Sequence, residues 1–255
     1  MGKTCTELFE GMDCTIIGNA QDEVEGIAYR SDKVKPGDAF FCIVGMKTDG
    51  HTFAQDAIDH GAKVLVVERK VYLADATDVT EVVVSDTRKA MAEASARFYD
   101  DPSRALSLVG VTGTNGKTTT TYLVEHIARV AGKRTGVIGT VGTVIGDVHE
   151  KSSHTTPESP DLQHLLARMR DARCDVVAME VSSHALDLER TYAASFAVTA
   201  FSNLTQDHLD YHHTFEALLR GEGAPVRQGL PCSPRHLHRR QVGQGAAAPL
   251  LGGRR

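Results

Sequence analysis

The segment Gly113-Thr114-Asn115-Gly116-Lys117-Thr118-Thr119 has the residue types and the spacing to hold a chain of phosphates. Glycine lets a backbone turn sharply and approach a ligand closely. The N–H groups of such a loop, and of the helix after it, then point at the anion. Lys117 would reach the β- and γ-phosphates of a nucleotide, and the Thr118 hydroxyl would face Mg²⁺. The commoner form of this loop has a glycine five residues before Gly116, where this chain has Val111; the shorter Gly-Thr-Asn-Gly-Lys-Thr form stands in its place.

Further segments carry groups suited to the same chemistry. Thr155-Thr156-Pro157-Glu158 precedes a helix expected to open near Pro160. Two hydroxyls beside free helix N–H groups suit an anionic ligand, and a plain helix-entry turn is the alternative. Glu180 ends the strand-like run that starts Asp175-Val176-Val177-Ala178 and is placed to hold Mg²⁺, or else forms an edge salt bridge. Asn203 and His208 follow the stretch Phe196 to Phe201 and would face the same phosphates and metal. His208 and His212 also have the i, i+4 spacing of a zinc pair, although no third ligand is evident. Tyr29 to Asp38 reads as a polar turn ahead of the first strand.

These groups need a scaffold, and the apolar pattern supplies one. In the first hundred residues, 39–44, 63–67 and 81–84 read as short buried strands, and Phe53 to His60 has helical spacing. Asp86 is a candidate N-cap for a helix running to about Tyr99, which Asp101-Pro102 ends. A boundary near residue 102 leaves an N-terminal α/β domain, 1–102. Beyond it, 105–111, 117–131, 134–139, 160–173, 175–181 and 196–201 alternate strand and helix. That alternation implies βαβ crossovers in a doubly wound, mostly parallel sheet, with ligands at the carboxyl ends of its strands. The central domain is drawn as 103–220 and is expected to be an incomplete version of this fold.

Composition narrows the class. A chain of 255 residues, 41% hydrophobic and 24% charged, has an ordinary soluble globular composition. A net charge of −5 gives no footprint for nucleic acid. No apolar run is long enough to span a membrane. Five scattered cysteines read as free thiols of a cytoplasmic protein.

Taken together, Lys33-Val34-Lys35-Pro36-Gly37-Asp38, Asp49-Gly50-His51, Gly113 to Thr119, Thr155-Thr156-Pro157, Glu180-Val181-Ser182-Ser183-His184-Ala185-Leu186, Arg190, Asn203-Leu204 and Asp207 to His212 resemble the Mur ligases, in that family's order. The Glu-Val-Ser-Ser-His run resembles the member that adds the third residue of the peptidoglycan stem peptide. The resemblance implies that ATP phosphorylates a substrate carboxylate and that an amino acid's amine then attacks the acyl phosphate. ATP and Mg²⁺ are the implied cofactors. The implied substrate is UDP-N-acetylmuramoyl-L-alanyl-D-glutamate, with meso-diaminopimelate or lysine as the amino acid. Gly113 to Thr119 would bind ATP, with Lys117 neutralising its charge. Thr118, Glu180 and His208 would form the metal and phosphate shell. Ser31, Thr155, Thr156, Ser182 and Arg190 would hold the UDP-sugar-dipeptide, and Met46, Lys47 and Thr48 match the loop near its uridine end. The family often reads Asp-Ser-Arg where this chain reads Arg30-Ser31-Asp32, so only Ser31 carries over. A non-catalytic nucleotide-binding fragment is the rival reading.

The resemblance stops near Ala217. Residues 221–255 hold seven Gly, six Arg and four Pro but no Lys, and show neither helical nor strand periodicity. The family carries a modified lysine, the rest of the ATPase domain and an amino-acid-binding domain there. The tail is therefore expected to be a disordered product of a shifted reading frame, with a natural short form as the alternative. On that expectation the chain as written would not complete the ligation.

Overall fold

A computed structural model describes residues 2–45, 48–71, 78–152 and 154–203. The expectations for Met46, Lys47, His208 and the tail fall outside these residues.

The first hundred residues contain β1 (Lys3–Thr4), α1 (Cys5–Phe9), β2 (Cys14–Ile17), β3 (Glu23–Val24), β4 (Gly26–Ala28), β5 (Asp38–Phe41), α2 (Ala54–Asp59), β6 (Val64–Val67), β7 (Thr80–Val84) and α3 (Thr87–Phe98). Five strands form one sheet in the order β2-β7-β6-β5-β4, parallel except for β2, while β1 and β3 pair separately. Strands β5 and β6 are buried at every position, which is why they read as continuous apolar runs. Phe41, Val64 and Val66 pack on one face with α1 and α3; Phe40, Leu65 and Val67 pack on the other with α2. Asp86 caps α3, its carboxylate accepting from Arg88 N at 3.0 Å and Lys89 N at 3.1 Å. The strand expected over 39–44 ends at Phe41, and it is not the first. Strands β1 to β4 precede it, because they are short and β2 alternates half-buried with exposed residues instead of forming an apolar run.

Asp101, at φ 47°, and a 3₁₀ turn over Pro102–Ala105 carry the chain to a second sheet. It comprises β8 (Ser107–Thr112), α4 (Lys117–Val130), β9 (Thr135–Gly139), β10 (Gly142–Ile145), β11 (Val148–Glu150), α5 (Ser159–Asp171), β12 (Val176–Glu180), α6 (Ser183–Asp187) and β13 (Val198–Phe201). The strand order is β11-β10-β9-β12-β8-β13. The four strands expected from alternation are mutually parallel, and β10 and β11 add an antiparallel meander at one edge. Strict alternation left no place for that meander, although Gly146-Asp147 marks its turn. Leu162, Leu166 and Met169 of α5 pack against Leu108, Ile138, Val177 and Met179 on one sheet face. Helix α4 lies against β9 and β12.

The two sheets meet through their helices. Helix α3 runs beside α5, the Tyr99 ring stacks on His164 with centroids 5.4 Å apart, and Arg170 donates to the Tyr99 carbonyl at 2.8 Å.

Candidate functional site

The phosphate loop leaves β8 and ends where Gly116, at φ 85°, caps α4. Gly113 is required at its position on two counts. Its φ is 121°, and a Cβ there would overlap Ser202 Oγ and lie 2.7 Å from the Asn203 carbonyl oxygen. The close approach lets the loop after β13 brace the phosphate loop. Thr114 N donates to Asn203 O at 2.9 Å, Asn115 N to Asn203 Oδ1 at 3.0 Å, and Asn203 Nδ2 to Asn115 O at 3.0 Å. Lys117 Nζ donates to the carbonyls of Gly113 at 2.6 Å and Thr114 at 3.0 Å, so its ammonium sits at the loop it would serve. Thr119 is exposed on the first turn of α4.

Glu180 ends β12 and is buried at 1% exposure. Its carboxylate accepts from Thr118 Oγ1 at 2.9 Å, from Thr140 N at 2.9 Å and from Thr140 Oγ1 at 3.2 Å. The edge salt bridge considered for it is not formed among the described residues. Thr118 and Glu180 therefore present a hydroxyl and a carboxylate side by side. These are hard oxygen donors of the kind Mg²⁺ takes together with phosphate and water oxygens, so the residues fit that ion. Among the described residues, no group of three His, Cys, Asp or Glu side chains is placed to hold a metal, and the His208–His212 pair considered for zinc lies outside those residues.

The segment before α5 closes the other wall. Thr155 Oγ1 lies 3.0 Å from Thr140 Oγ1. Thr156 is buried; its hydroxyl donates to the Glu180 carbonyl at 2.9 Å and accepts from Ser182 N at 3.1 Å. Ser182 caps α6, and Arg190 donates to Thr156 O at 2.9 Å and pairs with Glu158 at 2.7 Å. Lys117, Thr118, Thr155, Glu180, Ser182 and Arg190 all line one cleft of about 570 Å³.

Ser31 and Thr48 lie elsewhere. With Tyr29, Phe40 and Gly50 they line a second cavity of about 280 Å³ at the first sheet. Within the stretch Tyr29 to Asp38, residues Tyr29, Arg30, Ser31 and Asp32 form cavity wall, with a 3₁₀ turn over Ser31–Lys33. Arg30 and Asp32, on either side of Ser31, form a bidentate bridge with both bonds at 2.9 Å. Beside this cavity Asp49 accepts from His51 N at 3.0 Å and pairs with Arg69. The Arg69 guanidinium and the His51 N–H groups hold the Asp49 carboxyl far below the usual carboxylate range.

Thr140 and Arg88 escaped sequence reasoning, and Glu158 was read only as part of the turn before α5. Thr140 supplies two of the bonds to Glu180, and its only signal was its place at the carboxyl end of β9. Glu158 and Arg88 meet across the two sheets at 3.8 Å, and no local pattern marks that contact.

With the geometry established, comparison with known proteins places it. The family model described as "Mur ligase family, catalytic domain" matches residues 23–108, and "Mur ligase middle domain" matches residues 111–223. The UDP-N-acetylmuramoyl-L-alanyl-D-glutamate–2,6-diaminopimelate ligase of Clostridium botulinum is 46% identical over 210 residues, covering 82% of this chain and 44% of that protein. Its counterpart in Geobacillus thermodenitrificans is 47% identical over 201 residues, covering 79% of this chain and 40% of that protein. A solved structure of a ligase with the same name superposes with a TM-score of 0.74 at 27% identity, over 89% of this chain and 45% of the other. A MurF structure from Acinetobacter baumannii, at 21% identity and a TM-score of 0.63, shares the fold. The chain spans less than half the length of the relatives it matches. The two family matches run in order along the chain and together cover both sheets, so this chain belongs to the Mur ligase family.

Proposed function

We propose that this chain carries the nucleotide-substrate and ATP-binding parts of a ligase that extends UDP-N-acetylmuramoyl-L-alanyl-D-glutamate by one amino acid. The names of its relatives favour diaminopimelate over lysine as that amino acid. Residues 1–102 would receive the uridine end, through Ser31, Thr48 and the neighbouring Met46 and Lys47. Residues 103–220 would receive ATP and the dipeptide end. One observation carries the reading: the phosphate loop and the Thr155–Thr156, Ser182 and Arg190 wall share one cleft. A phosphoryl donor and a carboxylate acceptor bound in one cleft would be held close together, and positioning is most of what phosphoryl transfer asks of a protein.

The roles follow from the chemistry of each group. The loop's N–H groups and Lys117 would hold the phosphates and spread their charge, so that an anionic carboxylate can approach. Thr118 and Glu180, with His208 by family resemblance, would hold Mg²⁺, which when bound neutralises charge on the phosphates. Thr140 keeps the Glu180 carboxylate aimed at Thr118. Arg190 would face the dipeptide carboxylates, and Thr156 ties that wall to the end of β12. Amide formation follows when an amine attacks the phosphorylated carboxylate and phosphate departs.

Titration calorimetry tests the reading on the chain itself. Mg·ATP should bind, and UDP-N-acetylmuramoyl-L-alanyl-D-glutamate should bind more tightly than UDP. If the full nucleotide binds no better than UDP, the dipeptide-end contacts do not exist and the reading fails.

A further inference from the structure

The first turn of α5 lies between residues that line the two cavities. On one side Tyr29 lines the smaller cavity, and its phenol donates to Asp161 Oδ2 of α5 at 2.7 Å. Burial and this bond to Asp161 push the phenol's pKa up, so it remains a donor. On the other side Thr155 and Thr156 line the phosphate cleft and lead straight into α5. Asp161 is five positions on from Thr156, so their Cα atoms are at most roughly 18 Å apart.

Between them Glu158, at the N-cap position of α5, takes a guanidinium from each sheet's side. Arg190 NH2 lies 2.7 Å from Oε1, and Arg88 NH1, from α3, lies 3.8 Å from Oε2. Arg190 gives its other arm to the Thr156 carbonyl in the cleft wall. Among the described residues neither Arg88 NH1 nor Glu158 Oε2 has a hydrogen-bond partner, although both atoms are buried. A buried guanidinium left short of its hydrogen bonds is a poor stabiliser. Its placement makes sense as a strut that sets where Glu158, and through it Arg190, must stand.

We propose that Tyr29 and Arg88 are positioning residues that clamp the first turn of α5, keeping the two cavities in register for one ligand that reaches into both. The inference rests on the function proposed above, which supplies a ligand with a nucleotide at one end and carboxylates at the other. Two half-sites held in fixed register bind such a ligand more tightly than either binds its own part, and that advantage falls when the register loosens. Removing the clamp should therefore weaken the whole ligand and spare its pieces.

The test compares the native chain with Asp161→Ala/Arg88→Gln, which removes the acceptor of the Tyr29 bond without touching the cavity wall, by titration calorimetry, using UDP, UDP-N-acetylmuramoyl-L-alanyl-D-glutamate and Mg·ATP. The double variant should lose roughly tenfold or more in affinity for the full nucleotide while UDP and Mg·ATP change by less than about twofold. Arg88→Lys, which keeps a shorter cation, should recover part of the loss. A double variant that keeps the native preference for the full nucleotide over UDP overturns the clamp. If the double variant loses all three ligands, the single variants Asp161→Ala and Arg88→Gln are read by the same ratio. Equal losses for UDP and the full nucleotide in both overturn it as well. A native chain with no preference for the full nucleotide overturns the proposed function instead, and the clamp with it.

Discussion

Gly139 is the last residue of β9, next to the register pair Ile138–Met179 that joins β9 to β12. A methyl group at Gly139 would overlap Glu180 Oε1 and lie 2.9 Å from Cδ and 3.1 Å from Cγ. The whole carboxylate must then move, not only its tip. Glu180 is 1% exposed and held by Thr118 and Thr140, so its carboxylate moves only by breaking those bonds. Overpacking of this kind costs about 1–3 kcal/mol. A hydrogen bond lost from a charged group adds about 1.5–3 kcal/mol. Gly139→Ala should therefore destabilise by roughly 3 kcal/mol, which for a chain of this size lowers Tm by about 6–12 °C. The same displacement takes the carboxylate away from Thr118, so Mg·ATP affinity should fall about tenfold or more. Thermal melting followed by titration calorimetry reads both, with UDP as the control ligand because its proposed cavity lies at the other sheet. A variant melting within about 2 °C of the native chain, with unchanged Mg·ATP affinity, would refute the reasoning.

Other perturbations probe other parts of the argument. Lys117→Ala removes a point charge from the phosphate loop and should weaken Mg·ATP about 10- to 100-fold by calorimetry, with equal affinity removing Lys117 from the site. Thr156→Val keeps the shape but leaves the Ser182 N–H without its acceptor, a cost of about 2 kcal/mol seen as a Tm lower by about 4–8 °C, and Thr156→Ser should restore most of it. Burial pushes the Cys5 thiol up to about 11 and the Cys42 thiol up to about 12. Both should resist alkylation at pH 8 in the native chain and react once urea is added, as read by peptide mass; rapid native labelling would contradict their burial. The sign for stability follows. An unfolded thiol ionises near pH 9 while these stay neutral, so their contribution is whole below pH 9 and is lost between pH 9 and about 12.

What the sequence made legible was local. The phosphate loop could be read because seven consecutive residues carry both its turn and its chemistry, and the Asp86 cap because its partners are two and three residues on. The pairing of Thr118 with Glu180, 62 residues apart, could be anticipated only through the rule that ligands gather at parallel strand ends. Thr140 obeyed the same rule and was passed over, because threonine at a strand end is commonplace. The strands β2 to β4 went unread because short, half-exposed segments leave no periodicity, and the β10–β11 meander because alternation suggested a helix after every strand. Arg88 and Glu158 lay beyond reach for a different reason: each is unremarkable on its own helix, and only the packing of α3 beside α5 brings them together.

The strand order explains why the site forms at all. Strand β12 follows β9 in the chain but lies between β9 and β8 in the sheet. Glu180, at its end, is therefore flanked by the loops that leave both neighbours. The loop after β9 brings the N–H and hydroxyl of Thr140; the phosphate loop after β8 leads to the hydroxyl of Thr118. Strand β13, on the far side of β8, returns Asn203 to Thr114 and Asn115 and fixes the phosphate loop from behind. Had the strands been laid down in chain order, β9 would stand between β8 and β12. Their separation would then double from about 4.8 Å to about 9.6 Å. Thr118 could not reach the Glu180 carboxylate across that gap, since a hydrogen bond ends near about 3.2 Å. The crossover that inserts β12 beside β8 is thus what turns two distant residues, a threonine and a glutamate, into neighbouring oxygen donors at the mouth of a phosphate loop.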